Sequence, residues 1–493
     1  MNPFKILLIL ILYSLSVSCD KTNQGGDKSA NTSTDKEESI TKMFSLLTSA
    51  KTGVNFSNDL EESKERHYSN FNPIYDGGGV ATGDINNDGL PDLYFTGNEV
   101  DNRLYLNKGD FKFEDITKSA GVDATGGWKN GVSMVDINHD GLLDIYVCRG
   151  GWIKDPALRK NLLYINKGDL KFSEEAALYG LDNAGYSFQS AFFDFDNDGD
   201  LDVYIINHPD KSNLQIEDYN EGHQHGSVYS KDRLYRNDNN KFTDITDAAG
   251  LSRTYGFGLS VSTADLDHNG FVDIYVTNDY TEPDYYFLNN GNGTFTESVK
   301  KRTGHISLFS MGIDISDLDN DGWEDIFVTE MLPEDYKRSK INMASMNPKL
   351  FNKMVDEGFH HCYMHNVLQL NQGNGYFSDV SQMAGVSKTD WSWACFMTDF
   401  DNDGLKDVFV ANGYRRDLFD KDAIKKMNEY FKEHDKDADI KEVMDLYHSE
   451  KLISYIFKNN GKLSFTKMSQ DWGFDVPAFS NGASIADLDN DGD

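Results

Sequence analysis

The stretch DINNDGLPDLYF, Asp84 to Phe95, decides how this chain is read. It opens on Asp, carries Asn and Asp at its third and fifth positions, Gly at the sixth and Asp at the ninth, and then becomes apolar and β-prone. The pattern returns as DINHDGLLD from Asp136, DFDNDGDLD from Asp194, DLDHNGFVD from Asp265, DLDNDGWED from Asp317 and DFDNDGLKD from Asp399. A seventh copy, DLDNDGD, runs from Asp487 to Asp493.

Carboxylates and amides at positions 1, 3 and 5 of a tight loop converge on one point. Gly at position 6 permits the sharp turn that other residues resist. Oxygen donors in that array suit calcium, a hard cation that takes six to eight of them. The expected ligands of the first loop are Asp84, Asn86, Asp88, the carbonyl of Leu90, and Asp92. The second uses Asp136, Asn138, Asp140, Leu142 and Asp144; the third Asp194, Asp196, Asp198, Asp200 and Asp202. The fourth uses Asp265, Asp267, Asn269, Phe271 and Asp273; the fifth Asp317, Asp319, Asp321, Trp323 and Asp325. The sixth uses Asp399, Asp401, Asp403, Leu405 and Asp407, and the last begins with Asp487, Asp489, Asp491 and Asp493. About one Ca2+ per repeat is expected. A plain Asp/Asn/Gly turn is the simpler alternative, but such a turn does not need a carboxylate at position 9 every time.

No Glu stands at position 12, where a helix–loop–helix calcium site would have one. Apolar runs follow instead: LYF after Asp92, IYV after Asp144, IFV after Asp325. The loop is therefore the turn of a β-hairpin. After each complete hairpin comes a second one, as in NRLYLNKGDFKFEDIT from Asn102, NLLYINKGDLKFSE from Asn161 and YYFLNNGNGTFTE from Tyr285. Each reads as strand, Asn/Gly turn, strand. A repeat of four strands is one propeller blade. The expected fold is all-β: a seven-bladed β-propeller of four-stranded blades, six complete and the seventh cut short, with small helical inserts. The 31 Phe and 25 Tyr suit sheets stacked face to face.

The hairpins and the four-strand repeat resemble the FG-GAP/VCBS repeat family, which includes the integrin α-subunit propellers. The chain looks most like bacterial lipoproteins that join such a propeller to a C-terminal ASPIC/UnbV domain, related to the cartilage acidic protein family. The resemblance covers about residues 41–493 and implies a calcium-stabilised binding or adhesion module. Because the sequence stops inside a motif, a longer parent protein is expected.

The N-terminus has Lys5, an apolar run from Ile6 to Leu12 and LSVSC ending at Cys19. This reads as a secretion signal over 1–19 that resembles a lipoprotein signal peptide with Cys19 as the lipidation site, although Ser16 stands where Leu is usual; an ordinary signal peptide cut nearby is the alternative. A polar, flexible tether follows over 20–40, then a lead-in segment over 41–75 and the propeller over 76–493. The implied location is the outer membrane of a Gram-negative bacterium, reached through the lipid alone. Net charge is −34, from 81 acidic and 47 basic residues. Nucleic acid is excluded as a partner, since phosphate contacts need clustered Lys and Arg. Cys148, Cys362 and Cys395 make no disulfide framework, though a Cys148–Cys395 bond stays open.

The repeats begin 52, 58, 71, 52, 82 and 88 residues apart. The variation comes from inserts at about 207–232, 330–364 and 412–454, all after the second strand of a blade. Hairpin loops and inserts then lie on opposite faces. Two inserted stretches have helical periodicity: Ile424, Met427 and Phe431, then Ile440, Val443, Met444 and Tyr447. The insert face is the expected ligand face, for an extracellular protein or polysaccharide. Its candidate residues are Trp128, Arg149, Trp152, Tyr186, His208, Tyr255, Asp279, Tyr280, Glu330, Trp391, Arg415 and Arg416, with Phe309 and Trp393 beside them, the plainer reading of any single ring being a wedge between blades. Arg415 and Arg416 would attract an anionic ligand, unless they pair with Asp417, Asp420 or Asp422.

The segment HHCYMH offers His360, His361, Cys362 and His365 as zinc ligands, and HQH offers His223 and His225. No second ligand pair stands at zinc-finger spacing, and the first segment leads straight into a strand. No nucleophile elbow, zinc-protease helix, phosphate loop or dinucleotide fingerprint is present. A rival class is a propeller lyase or glycosidase, whose acid and base would have to converge from His208, Tyr255, Asp279, Glu330 or Arg415. A third is a structural module serving a C-terminal domain.

Overall fold

Residues Val80–Gly83 and Asp92–Phe95 pair antiparallel with Gly83 opposite Asp92, so the acidic loop is the hairpin turn that its sequence requires. Leu93 then faces Tyr105, and Asn107 faces Phe113. The result is a four-stranded sheet in simple sequential order. Five more sheets repeat it, giving six blades over 80–115, 129–174, 187–244, 257–297, 313–379 and 392–467. The computed structural model describes residues 42–211, 214, 216–341, 347–434 and 439–492. The expected signal peptide with Cys19, the tether and Asp493 lie outside them.

The blades stack through their apolar faces. One buried cluster joins Tyr94, Leu104 and Leu106 of blade 1 to Ile145, Val147 and Tyr164 of blade 2. Another joins Phe327 and Leu368 of blade 5 to Cys395, Met397 and Val410 of blade 6. This is the face-to-face packing that the aromatic content predicts. Residues 478–492 supply the first-strand position and the hairpin loop of a seventh blade. Asn481 accepts the Ala394 N–H of blade 6 at 3.2 Å, and Ser484 Oγ lies 2.9 Å from Thr82 Oγ1 of blade 1. The ring is therefore seven-fold, with six four-stranded sheets among the described residues.

The lead-in runs along the seventh position and then across the insert face. Phe44 packs on Phe400 and Phe474 of the blade 6 side, and Phe56 stacks on Phe95 of blade 1. Farther on, Phe71, Ile74 and Tyr75 enter a buried cluster with Trp128, Trp393, Tyr414 and the blade 6 insert. All three long inserts fall between second and third strands, as their spacing implies. They hold the helices Ile216–His225, Tyr336–Ile341, Pro348–Asp356, Lys421–His434 and Ile440–Met444. The expected helical faces turn inward through Ile424, Met427, Val443, Met444 and Tyr447, whereas Phe431 is exposed.

Candidate functional site

In every hairpin loop the position 1 Asp is a backbone clamp. Asp84 accepts the Asp88 N–H at 3.2 Å and the Gly89 N–H at 2.7 Å, and Asp487 does the same for Asp491 and Gly492 at 3.3 and 2.9 Å. Position 9 joins the loop to the sheet. Asp92 accepts the Ile85 N–H at 3.0 Å on one oxygen and the Asn107 N–H at 2.7 Å on the other. Asp407 repeats this with Phe400 and Asn459.

Position 3 is different. One carboxylate oxygen each of Asp196, Asp267 and Asp401 is buried with no hydrogen-bond partner. Buried polar atoms are normally satisfied, so the three oxygens mark what the loops are shaped to hold. Carboxylate oxygens of positions 1, 3 and 9 come within 4.8 Å of one another in Asp194/Asp196/Asp202, Asp265/Asp267/Asp273 and Asp317/Asp319/Asp325. The donors are all oxygen, so the fit is to a hard cation. Without one, burial pushes Asp273 up to about 7, and the neighbouring carboxylates of Asp267 and Asp265 add to the shift. Asp144, Asp202 and Asp325 also rise to about 7, and Asp92 and Asp407 to about 6, burial again leading. Two loops already meet a side-chain cation: in the fourth, the Arg302 guanidinium lies 3.4 Å from Asp267, and the sixth meets a lysine. The Lys458 ammonium pairs with Asp401 and lies 2.7 Å from Asp403, standing where a cation's charge would be.

Two further residue types in the repeat carry roles that sequence reasoning missed. Position 4 is Asn87, His139, Asn197, His268, Asn320, Asn402 and Asn490, each with φ between 53° and 60°. That left-handed backbone tolerates Asn readily and points the side chain at the next loop. Asn87 donates to the Gly141 carbonyl at 2.8 Å, Asn197 to Gly270 at 2.9 Å, Asn320 to Gly404 at 2.9 Å and Asn402 to Gly492 at 3.2 Å. Asn490 closes the circle on Gly89. His268 instead reaches Glu324 at 2.9 Å and stacks on Trp323. The Asn that ends each third strand is the second type. Asn166 Nδ2 donates to the Leu143 carbonyl of its own blade and to the Ile85 carbonyl of the blade before. The signal for both was repetition at a fixed place in every copy.

The expected ligand residues do gather on the insert face, but the chain itself covers them. Trp128 is buried against Phe71 at a ring distance of 4.7 Å. Arg149 is spent on the carbonyls of Lys160 and Ala157, and Trp152 donates to the Pro209 carbonyl. Tyr186 lies beneath the Arg159 guanidinium, and Tyr255 is buried against the helix of the blade 3 insert. Trp391 stacks on Tyr414 at 3.8 Å, Trp393 donates to the Gly413 carbonyl, and Tyr280 pairs with Asn72. Arg415 reaches the Leu60 carbonyl at 3.4 Å. Arg416 forks onto Glu62 at 2.8 and 3.3 Å and onto Asp445 at 3.3 Å. The arginines thus pin the lead-in to the blade 6 insert, through Glu62 and Asp445 rather than Asp417, Asp420 or Asp422. The open aromatic platform is a correction: the lead-in covers Trp128 and Tyr280, while Arg159, the blade 3 insert helix and Tyr414 lie against Tyr186, Tyr255 and Trp391.

Beneath that cover, His208, Asp279, Tyr280 and Phe309 line a cavity of about 30 Å³, room for little more than one water. Burial lowers His208 to about 4, raises Asp279 to about 7, and raises Asp76 to about 8 with Asp279 adding to it. Glu330, wholly buried, is pushed well above the usual carboxylate range. His208 and Asp279 of the candidate acid–base set thus share one small buried cavity, while Tyr255 and Arg415 do not line it. Cys148, Cys362 and Cys395 are free, buried thiols, which closes the question of a Cys148–Cys395 bond.

An open cavity of about 450 Å³ lies instead at the rim of the same face, lined by His223, Arg253, Glu282, Tyr285, Lys300 and Gly358 among others. One Glu282 oxygen accepts from Tyr285 and lies 2.8 Å from His223 Nε2, and its other oxygen is buried with no partner. His223, from the HQH segment, is therefore a wall of this cavity, while His225 is exposed.

Comparison with known proteins agrees with the repeat reading. The signature described as an FG-GAP-like repeat matches residues 84–147, 226–276, 265–328 and 361–410. Cartilage acidic protein 1 of Xenopus tropicalis is 34% identical over 135 residues, 27% of this chain and 20% of that protein. The human protein is 32% identical over the same length and the same shares. The match thus spans about one fifth of these relatives' length. Among solved structures, an Agrocybe aegerita lectin described as recognising non-reducing terminal N-acetylglucosamine aligns over 80% of this chain and 82% of its own, at 16% identity and a TM-score of 0.43. The V. cholerae biofilm matrix protein Bap1 aligns over 69% of this chain and 36% of its own, at 12% identity and a TM-score of 0.26.

Proposed function

Starting from a chain that carries FG-GAP-like repeats on a propeller ring, we propose that this protein is a calcium-loaded binding module that takes an extracellular polysaccharide or protein on its insert face. The carrying observation is the contrast between the faces. The hairpin loops have nearly constant length and saturate their own backbone, whereas the inserts vary and border the 450 Å³ cavity. That volume is in the range of about 300–1,000 Å³ usual for ligand sites. Glu282, His223, Arg253 and Lys300 offer both acceptors and cations there, which suits hydroxyl-rich or mixed-charge ligands. Calcium's part is structural, with Asp194, Asp196, Asp198 and Asp202 as a typical set together with the carbonyl of Asp200.

The test is a glycan and peptide array probed with the calcium-saturated protein, followed by Arg253→Ala and Glu282→Gln. A ligand whose affinity both variants leave unchanged, while hairpin-face variants abolish it, assigns the wrong face. Export and anchoring through Cys19 belong to the same proposal. Among the described residues no helix is long and apolar enough to cross a membrane, so attachment would rest on lipid. Cys19→Ser should release the protein from the membrane fraction, and wild-type partitioning of that variant rejects the anchor.

A further inference from the structure

Three separate segments meet at the rim of blade 5. His305 lies in the linker that enters the blade, His365 closes the blade's long insert, and Asp379 ends its outer strand. Linker and insert run together as a two-residue parallel pair, Ile306–Ser307 with Cys362–Tyr363. His305 Nε2 is 3.0 Å from Asp379 Oδ2, and His365 Nε2 is 3.8 Å from the same oxygen. One donor atom from each residue comes within 4.8 Å of the other two.

Bonds to their remaining atoms orient two of the three groups. His365 Nδ1 lies 2.7 Å from the Asn366 carbonyl. A carbonyl only accepts, so Nδ1 carries the proton, and the neutral ring presents its lone pair at Nε2. Asp379 Oδ1 accepts the N–H groups of Ser381 at 2.9 Å and Leu368 at 3.2 Å, which leaves Oδ2 facing the imidazoles. Such outer bonds are how metal ligands are usually held. The side chains of Asp379 and His365 are 6% and 10% exposed and that of His305 is 28%. Two ligands are thus dry and the third opens to water.

A second cluster, Asp417, His448 and Glu450, has the same number of donors. There the Arg338 guanidinium already sits between the carboxylates, 3.4 Å from Asp417 and 2.5 Å from Glu450. At Asp379, among the described residues, the ion-pair partners are the two imidazoles alone.

We propose that His305, His365 and Asp379 form a zinc site with an open fourth position, chemically separate from the hairpin loops. Two imidazole nitrogens and one carboxylate suit Zn2+, whereas calcium takes oxygen donors. Zinc would staple the blade 5 insert to the linker and outer strand, and its open position would accept water or an anionic group of a ligand. His360 and Cys362, the neighbours that first suggest zinc in the sequence, take no part. His360 Nε2 is bonded to Thr303, and Cys362 lies in the parallel pair.

The experiment titrates zinc into the calcium-saturated protein against a chromophoric chelator, with Co2+ absorption as a report on coordination geometry. One equivalent should bind with sub-micromolar affinity, unaffected by millimolar calcium. His365→Ala and His305→Gln should each weaken it about 100-fold or more, since loss of even an outer partner costs about 10–100-fold. His360→Ala should leave it unchanged. His365 is buried and its variant could misfold, so the more exposed His305→Gln, checked by its calcium-bound melt, decides. Absence of a saturable single equivalent, or wild-type affinity in His305→Gln, overturns the site.

Discussion

Around the hairpin face one arrangement is built seven times, from Asp84 clamping Gly89 to Asp487 clamping Gly492, and position 4 links most loops to the next. Across the insert face no two blades are alike, and cohesion comes from a segment outside the repeats, through Phe71, Tyr75 and the Glu62–Arg416 pair. The first face is held by bonds inside each loop and by one repeated link from each of five loops to the next. The second is held by unrepeated contacts, among them the Glu62–Arg416 pair, 354 residues apart. On the proposed reading calcium stabilises the hairpin loops and does not touch the lead-in, so the two should fail under different treatments.

Removing calcium should have the largest effect. A site saturated a hundredfold above its dissociation constant adds about 2.7 kcal/mol, and several sites act together. EDTA should lower the Tm sharply and calcium restore it, with magnesium a poor substitute, because it prefers a smaller octahedral shell. Equal melts with and without EDTA would break the comparison outright. The pH dependence sharpens it. In the metal-free protein the position 9 carboxylates have folded values of about 6 to 7, above the ordinary value. The folded state then binds more protons than the unfolded chain between about pH 4 and 7, so stability falls as pH rises through that window. The EDTA melt should therefore improve from pH 8 to pH 6, and the calcium melt should not.

Next in size is a single loop. Asp317→Ala removes the acceptor of the Asp321 and Gly322 N–H groups together with a cation ligand, and should cost about 2–3 kcal/mol. Asp200→Ala keeps the carbonyl expected to face the cation and removes a part-exposed carboxylate bonded to the Asn239 N–H at 3.2 Å, and should cost about 1 kcal/mol or less. Equal losses in the two calcium-bound melts would mean that position in the loop does not matter. Smallest is the insert face. Arg416→Ala breaks the charged bonds to Glu62 and Asp445 and should cost about 1.5–3 kcal/mol, at the low end because Asp445 is exposed and Glu62 keeps its bond from the Tyr75 hydroxyl. Limited proteolysis should then cut within 60–76 sooner, with the calcium dependence of the melt unchanged. A variant that loses its calcium response would show that the faces are coupled.

Much of this was legible in advance where the information is local. Asp at position 1, Gly at position 6 and the apolar run after position 9 define a turn and its strand within about a dozen residues. Blade order and the placement of inserts followed from counting. What stayed hidden depends on which distant groups meet. Trp128 and Trp391 look like exposed platforms until Phe71 and Tyr414 are seen against them. Arg416 looks like a ligand's anchor until Glu62, 354 residues away, is found in its fork.

The sequence by itself determined the sheet, the hairpin loops and their oxygen donors, because period-2 alternation and turn chemistry act between near neighbours. Only the tertiary structure decided which polar and aromatic groups remain available. The fold of blade 5 against its own insert and linker brings His305, His365 and Asp379 together, and the lead-in packs over the central aromatics. Burial and pairing are properties of the closed ring, and no spacing within one repeat encodes them.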